Sequence, residues 1–114
     1  MTQDSLERLR AMCGGPRDGA LLRMSLATAL LARADAAAAT SELRRALEFD
    51  PAYSGAWKLL GKTLADCGDA AGAIAAYRDG IAAAIERGDK QAEKEMQVFL
   101  KRLLKRPDNE SEPK

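Results

Sequence analysis

Sliding the 114-residue chain along itself by 34 positions superimposes like on like, and such a register admits few folds. Leu26 falls on Leu60, Leu30 on Leu64, Asp35 on Asp69, Ala36 on Ala70, Ala39 on Ala73 and Arg44 on Arg78. Where identity lapses, size or polarity class persists: Ala27 meets Gly61, Leu43 meets Tyr77, Ala46 meets Gly80 and Leu47 meets Ile81. The apolar and small positions recur at steps of three and four, the spacing of one face of a helix. One helical hairpin is written twice. A hairpin of this kind cannot bury its apolar face alone, so copies stack and need solvating elements at the ends.

Local signals place six helices. The spacing predicts them over about 4–12, 18–33, 36–48, 53–67, 70–86 and 89–105. Asp4 or Ser5 is expected to cap the first, and Cys13-Gly14-Gly15-Pro16 breaks it. Asp35, Asp69 and Asp89 stand where N-caps belong. Asp50-Pro51 ends the third helix, because a residue before proline avoids the helical region. Pro107 stops the sixth, and the polar stretch 107–114 is expected to be a disordered tail. Composition agrees with close-packed helices. Apolar residues make up 46% of the chain but aromatics only 4%. Much of the apolar total is alanine, which favours helix and lets helices approach closely.

The second copy carries Trp57, Leu60, Gly61, Leu64, Ala73, Tyr77 and Gly80 at the spacing of the tetratricopeptide repeat, and the chain resembles that family. The first copy fits through Leu26, Ala27, Leu30, Ala39, Leu43, Ala46 and Pro51, with Arg23 where Trp57 sits. Ile85 stands where the repeat usually ends in proline, so the fifth helix is expected to run long. The resemblance implies an all-α fold, a right-handed α-solenoid of antiparallel helix hairpins. It would form one domain over 1–106, with repeats at 20–53 and 54–87, a short N-terminal helix and a C-terminal capping helix at about 89–105. Gly61 and Ala73 would let helices touch, while Trp57 and Tyr77 would fill the space between them.

Catalytic motifs do not survive inspection. Gly61-Lys62-Thr63 resembles the end of a phosphate-binding loop, but that motif needs glycine at position 56, where Ala56 stands. Trp57, Leu59 and Leu60 would also have to occupy its polar turn, and no strand precedes it. The chain has no histidine, which removes Ser-His-Asp and Cys-His arrangements and histidine-containing zinc sites. Glu86, Glu93 and Glu95 read as solvated helix positions. No enzyme activity, cofactor or metal is expected. Cys13 and Cys67 lie far apart without a CxxC spacing and read as free thiols in a reducing, cytoplasmic setting. Cys67 is expected to be buried and Cys13 the more exposed.

Charge excludes further classes. The formal net charge is +1, with 7 basic and 7 acidic residues in the first 50 positions. Neither half suggests a nucleic-acid binder. Lys101, Arg102, Lys105 and Arg106 form one basic cluster, better explained by the dipole at a helix C-terminus than by lipid or RNA. No stretch is long and apolar enough to span a membrane, and MTQDSLERLR, with acids among its bases and no apolar core, is not expected to act as a signal peptide.

The resemblance implies a protein-binding scaffold whose partner, a peptide or a helix, lies in a concave groove. The first helix of each hairpin would line it. The implied groove positions are Leu21, Met24, Thr28 and Leu31 in the first copy and Gly55, Lys58, Lys62, Ala65 and Asp66 in the second. Some members hold a C-terminal carboxylate with a lysine and asparagine clamp. Here Thr28 and Leu59 stand at the asparagine positions, so that role is not implied. Met24 and Leu31 would accept apolar side chains. Lys58 and Lys62 would present a positive edge to acidic residues, or simply keep the face soluble. The alternative is an assembly subunit, including a homodimer driven by Phe99, Leu103 and Leu104 of the sixth helix.

Overall fold

A computed structural model describes residues 2–105, so the expected tail at 107–114 and Arg106 of the basic cluster lie outside the described residues. Six helices and no strand occur among those residues: α1 (Thr2–Ala11), α2 (Ala20–Ala32), α3 (Ala36–Phe49), α4 (Ser54–Asp66), α5 (Ala70–Arg87) and α6 (Lys90–Leu104). The expected helices fall within two residues of these at every described end. α1 starts at Thr2, which puts Asp4 and Ser5 inside its first turn instead of at its cap. α5 runs 18 residues against 14 in α3, as the missing proline at Ile85 implies.

One turn device recurs. The carboxylates of Asp35, Asp69 and Asp89 accept hydrogen bonds from the amides of Ala38, Gly72 and Ala92 at 3.2, 2.9 and 3.1 Å. Each cap satisfies an amide that has no partner within the helix and stabilises the structure by about 1 kcal/mol. The preceding helix closes in the same turn. The amides of Asp35, Asp69 and Asp89 donate to the carbonyls of Leu30, Leu64 and Ala84 at 2.9, 2.9 and 2.8 Å. That closure needs a left-handed residue just before the aspartate. Gly68 and Gly88 supply it with φ of 84° and 81°, while in the first turn Ala34 adopts φ 62° despite its Cβ.

The chain divides into two compact units at Ala56 and Trp57, within α4. In the first, α2 packs on α3 and α1 on α2. Its core is Leu6, Leu26, Ala27, Leu30, Ala39, Leu43, Ala46, Leu47 and Ala56, all less than a tenth exposed. In the second, α5 packs on α6, and Leu60, Leu64, Ala73, Ala76, Tyr77, Ala84, Ala92, Met96 and Leu103 are buried. Filling with Ala, Leu, Met and Tyr works only if the backbones come close, and two glycines allow it. A Cβ on Gly61 would lie 2.5 Å from the Tyr77 ring, and one on Gly80 would lie 2.6 Å from Met96 Sδ and 2.7 Å from Trp57 Cβ. Tyr77 also meets Phe99 of α6, with ring centroids 5.7 Å apart.

Gly61→Ala should therefore destabilise the protein by about 1–3 kcal/mol through overpacking, although alanine is the better helix former by about 1 kcal/mol. Urea unfolding followed by circular dichroism measures it, and a stabilised variant would contradict the close approach. Ala34→Gly should do the reverse, adding about 0.5–1 kcal/mol by relieving the left-handed alanine, read as a higher melting temperature.

Candidate functional site

The Gly61-Lys62-Thr63 stretch lies in the middle of α4, where its backbone is helical and Thr63 is only 4% exposed. No loop wraps a ligand there. Among the described residues no group of three His, Cys, Asp or Glu side chains converges as a metal site would require. No helix among them is long and apolar enough to cross a membrane. The surface positions on α2 and α4 are the remaining candidates, and each is described within its own unit.

On α2, Leu21, Met24, Thr28 and Leu31 follow one another at steps of three, four and three, and so share one face. Leu21 is 72% exposed. Met24 and Leu31 are half-buried and extend that apolar strip. Thr28 is exposed, and its hydroxyl donates to the Met24 carbonyl at 3.0 Å, so the residue has no donor aimed outward. Gly55, at the start of α4, leaves room for Tyr53 and Met24. A Cβ there would come within 3.2 Å of the Tyr53 ring and 3.8 Å of the Met24 methyl.

On α4, Lys58, Lys62 and Ala65 follow at steps of four and three. Both lysines already have carboxylate partners. Lys58 Nζ donates to Glu95 Oε1 of α6 at 2.7 Å, and Gln91 Nε2 donates to the other oxygen at 3.4 Å. Lys58, and then Gln91, hold the Glu95 carboxyl below its usual range. Lys62 Nζ donates to Asp66 Oδ2 at 2.9 Å, one turn along the same exposed face. Ala65 is half-buried between them and the helix end. The positive edge read from the sequence is thus neutralised in place by Glu95 and Asp66. An exposed pair such as Lys62–Asp66 is worth about 0–1 kcal/mol.

The sequence reading missed an ion cluster in the first unit. Arg23, at the position of Trp57 in the second copy, donates to both Asp18 oxygens at 2.9 and 2.8 Å and to Glu42 Oε1 at 2.9 Å. The Arg23 and Asp18 side chains are 13% and 9% exposed. The Gly14 amide adds a fourth hydrogen bond, to Asp18 Oδ2 at 2.8 Å. The cluster ties the loop before α2 to α2 and α3. An arginine at a packing position needs carboxylate partners, and that was the available signal. Asp18, read from the sequence as part of the second helix, instead precedes α2, whose cap is Gly19.

The cysteines reverse the expected order. Cys67 is exposed just past α4, whereas Cys13 is half-buried with its thiol directed at the Leu9 carbonyl at 3.7 Å. The turn after α4 carries Cys67 out of the packed face. On α6, Leu103 is buried and Phe99 is half-buried against Tyr77, so of the three expected dimer residues only Leu104 is exposed.

The chain is 49% identical over 98 residues to a TPR repeat-containing protein of Pseudomonas aeruginosa, covering 86% of this chain and 93% of that protein. It is also similar to a Bordetella parapertussis protein of known solution structure, at 52% identity and a TM-score of 0.72 over 86% of this chain and 85% of that one. A third likeness is to the Sgt2 TPR domain from Aspergillus fumigatus, at 27% identity and a TM-score of 0.73 over 99% and 74% of the two chains. No family model matches the chain.

Hydrogen bonds from Arg23, and then from the Gly14 amide, hold the Asp18 carboxyl well below the usual carboxylate range. The folded state therefore resists protonation more than the unfolded chain. The resulting stability is present in full above the unfolded carboxylate pKa of about 4 and is lost as pH falls below it. Asp18→Asn should flatten the decline in melting temperature on acidification through that window. An unchanged slope would contradict a cluster held by the ionised carboxylate.

Proposed function

Because the chain belongs to the tetratricopeptide repeat family, we propose that it is a non-catalytic scaffold that binds a segment of another protein on the exposed faces of α2 and α4. The family supports a protein-interaction role in general. The observation that carries the finer reading is the apolar strip on α2, with Leu21 72% exposed beside Met24 and Leu31. A single exposed leucine is ordinary, but Leu21 with Met24 and Leu31 makes a continuous apolar strip of the kind that takes a partner's apolar anchor.

The α4 face selects the partner's charge. A partner carboxylate replaces Asp66 at Lys62 or Glu95 at Lys58, since each resident pair lies near the surface and is replaced by one of the same chemistry. The partner segment is therefore apolar at one or two positions and acidic at others. The alternative reading is an assembly subunit paired through α6. Its apolar drivers are reduced to Leu104 and Val98, which leaves it the weaker of the two.

A photo-reactive residue in place of Leu21 should trap the partner in the producing cells, and one in place of the exposed Ala75 on α5 should not. Lys62→Glu leaves the Lys58–Glu95 pair intact and is the cleaner charge variant. It should weaken binding of the trapped segment about tenfold at low salt, with the difference fading as salt rises. Equal trapping at both positions, or unchanged affinity at low salt, would overturn the proposal.

A further inference from the structure

A second surface, on the open side of the α5–α6 hairpin, is independent of the α2 and α4 reading, and either can fail without the other. Contacts among α4, α5 and α6 fix where that side lies. Glu95 reaches Lys58, so its edge of α6 faces α4. Met96 lies against Gly80 of α5, and Phe99 lies against Tyr77. These two pairs run in opposite directions along the chain, so α5 and α6 are antiparallel. Round α6 from Glu95 past Met96, the next positions are Leu100 and Leu104, beside α5 and away from α4. On α5, which winds with the same hand in the opposite direction, Ile74, Ile81 and Ile85 take the matching place beside α6.

The two rows form one apolar strip. Ile85 and Leu104 are 56% and 42% exposed, and Ile74, Ile81 and Leu100 are half-buried. Leu47, the counterpart of Ile81 in the first copy, is only 8% exposed. The same repeat position is therefore buried in one copy and open in the other. In a repeat array the next helix covers that side, and α6 is the last helix among the described residues.

Charge marks both rims. Arg78 is exposed on the α5 rim and Lys101 on the α6 rim. Among the described residues neither has a carboxylate partner, in contrast to Lys58 and Lys62. With Tyr77 level with Phe99, Arg78 and Lys101 stand within about 5 Å of each other in height along the helices. Glu93, nearer the turn end of the α6 rim, accepts a hydrogen bond from Gln97 at 3.4 Å. The strip is thus apolar along its floor and positive on both sides at mid-height.

From Ile74 to Ile85 the strip is about 16 Å long, about three turns of helix. An extended segment laid along it would set unpaired backbone groups against isoleucine and leucine, whereas a helix satisfies its own. Charge argues against a second copy as the occupant. Arg78 lies near the middle of the strip, so two-fold pairing would set it against itself. We propose that this face docks an amphipathic helix of another protein, its apolar ridge on Ile81, Ile85, Leu100 and Leu104. Acidic residues on both flanks of that ridge meet Arg78 and Lys101. The docked helix occupies the place that the next helix of a longer array would fill.

A helix-forming synthetic peptide of about 14 residues, with a leucine stripe flanked by glutamates, tests this beside a twin with lysines in place of the glutamates. In methyl carbon–proton spectra of the full chain at low salt, the glutamate peptide should shift Ile74, Ile81, Ile85, Leu100 and Leu104. The lysine twin should bind about tenfold more weakly, and added salt should narrow the difference. Arg78→Glu/Lys101→Glu should reverse the preference, and Ile85→Ser should weaken the glutamate peptide about fivefold. All three replaced side chains are exposed, so the fold survives their loss. Equal affinity of the twins, or shifts confined to Leu21 and Leu31 of α2, would overturn the proposal. So would a dimer of the unliganded chain in sedimentation that Ile85→Ser dissociates, which would assign the face to a second copy.

Discussion

The second unit rests on the approach of three helices at two glycines. Gly61 sits against the Tyr77 ring, and Gly80 sits against Trp57 and Met96, with no room for a Cβ at either. Every other contact there follows from that distance. Only when the backbones are this close can a core of Leu, Ala, one Met and one Tyr be filled without voids. The first unit solves the same problem with smaller partners. Leu43 replaces Tyr77 and Arg23 replaces Trp57, and alanine, as Ala27 and Ala46, suffices where the second copy uses glycine. Large residues face small ones in both copies, which is how a repeat keeps its packing while its residues change.

The exchange of Trp57 for Arg23 brings electrostatics into a structure otherwise held by apolar contact. An arginine that is mostly buried has to be matched, and Asp18 and Glu42 match it from the preceding loop and from α3. The second unit uses a more exposed pair, Lys58 with Glu95, to link α4 to the capping helix α6. These two sets of ion pairs differ in consequence. The Arg23 cluster is shielded and structural, whereas the Lys58 and Lys62 pairs stand nearer to water and contribute less.

Much of the fold was legible because its signals are local. Asp35, Asp69 and Asp89 sit at the starts of periodic segments, and all three side chains accept an amide of the first helical turn. The long α5 was legible for the same reason, since a missing proline at Ile85 acts on its own helix. The candidate faces of α2 and α4 were legible only as positions. That Lys58 reaches Glu95, 37 residues away, depends on how α6 returns. Cys67 shows the limit from the other side. A small residue at the end of an apolar periodic segment reads as buried, yet the chain turns outward one residue after α4 ends.

The sequence by itself determined the helices, their caps, the 34-residue repeat and the family, because each depends on residues close together or on a spacing that can be counted. Tertiary structure alone decided which charges are paired and which remain open. Arg23, Lys58 and Lys62 are all cations on first helices, and nothing local tells them apart. One is locked among carboxylates from two other segments, one bridges to the cap and one bonds its own helix. Pairing is set by distances between segments remote in the chain, and those distances exist only after the helices have packed.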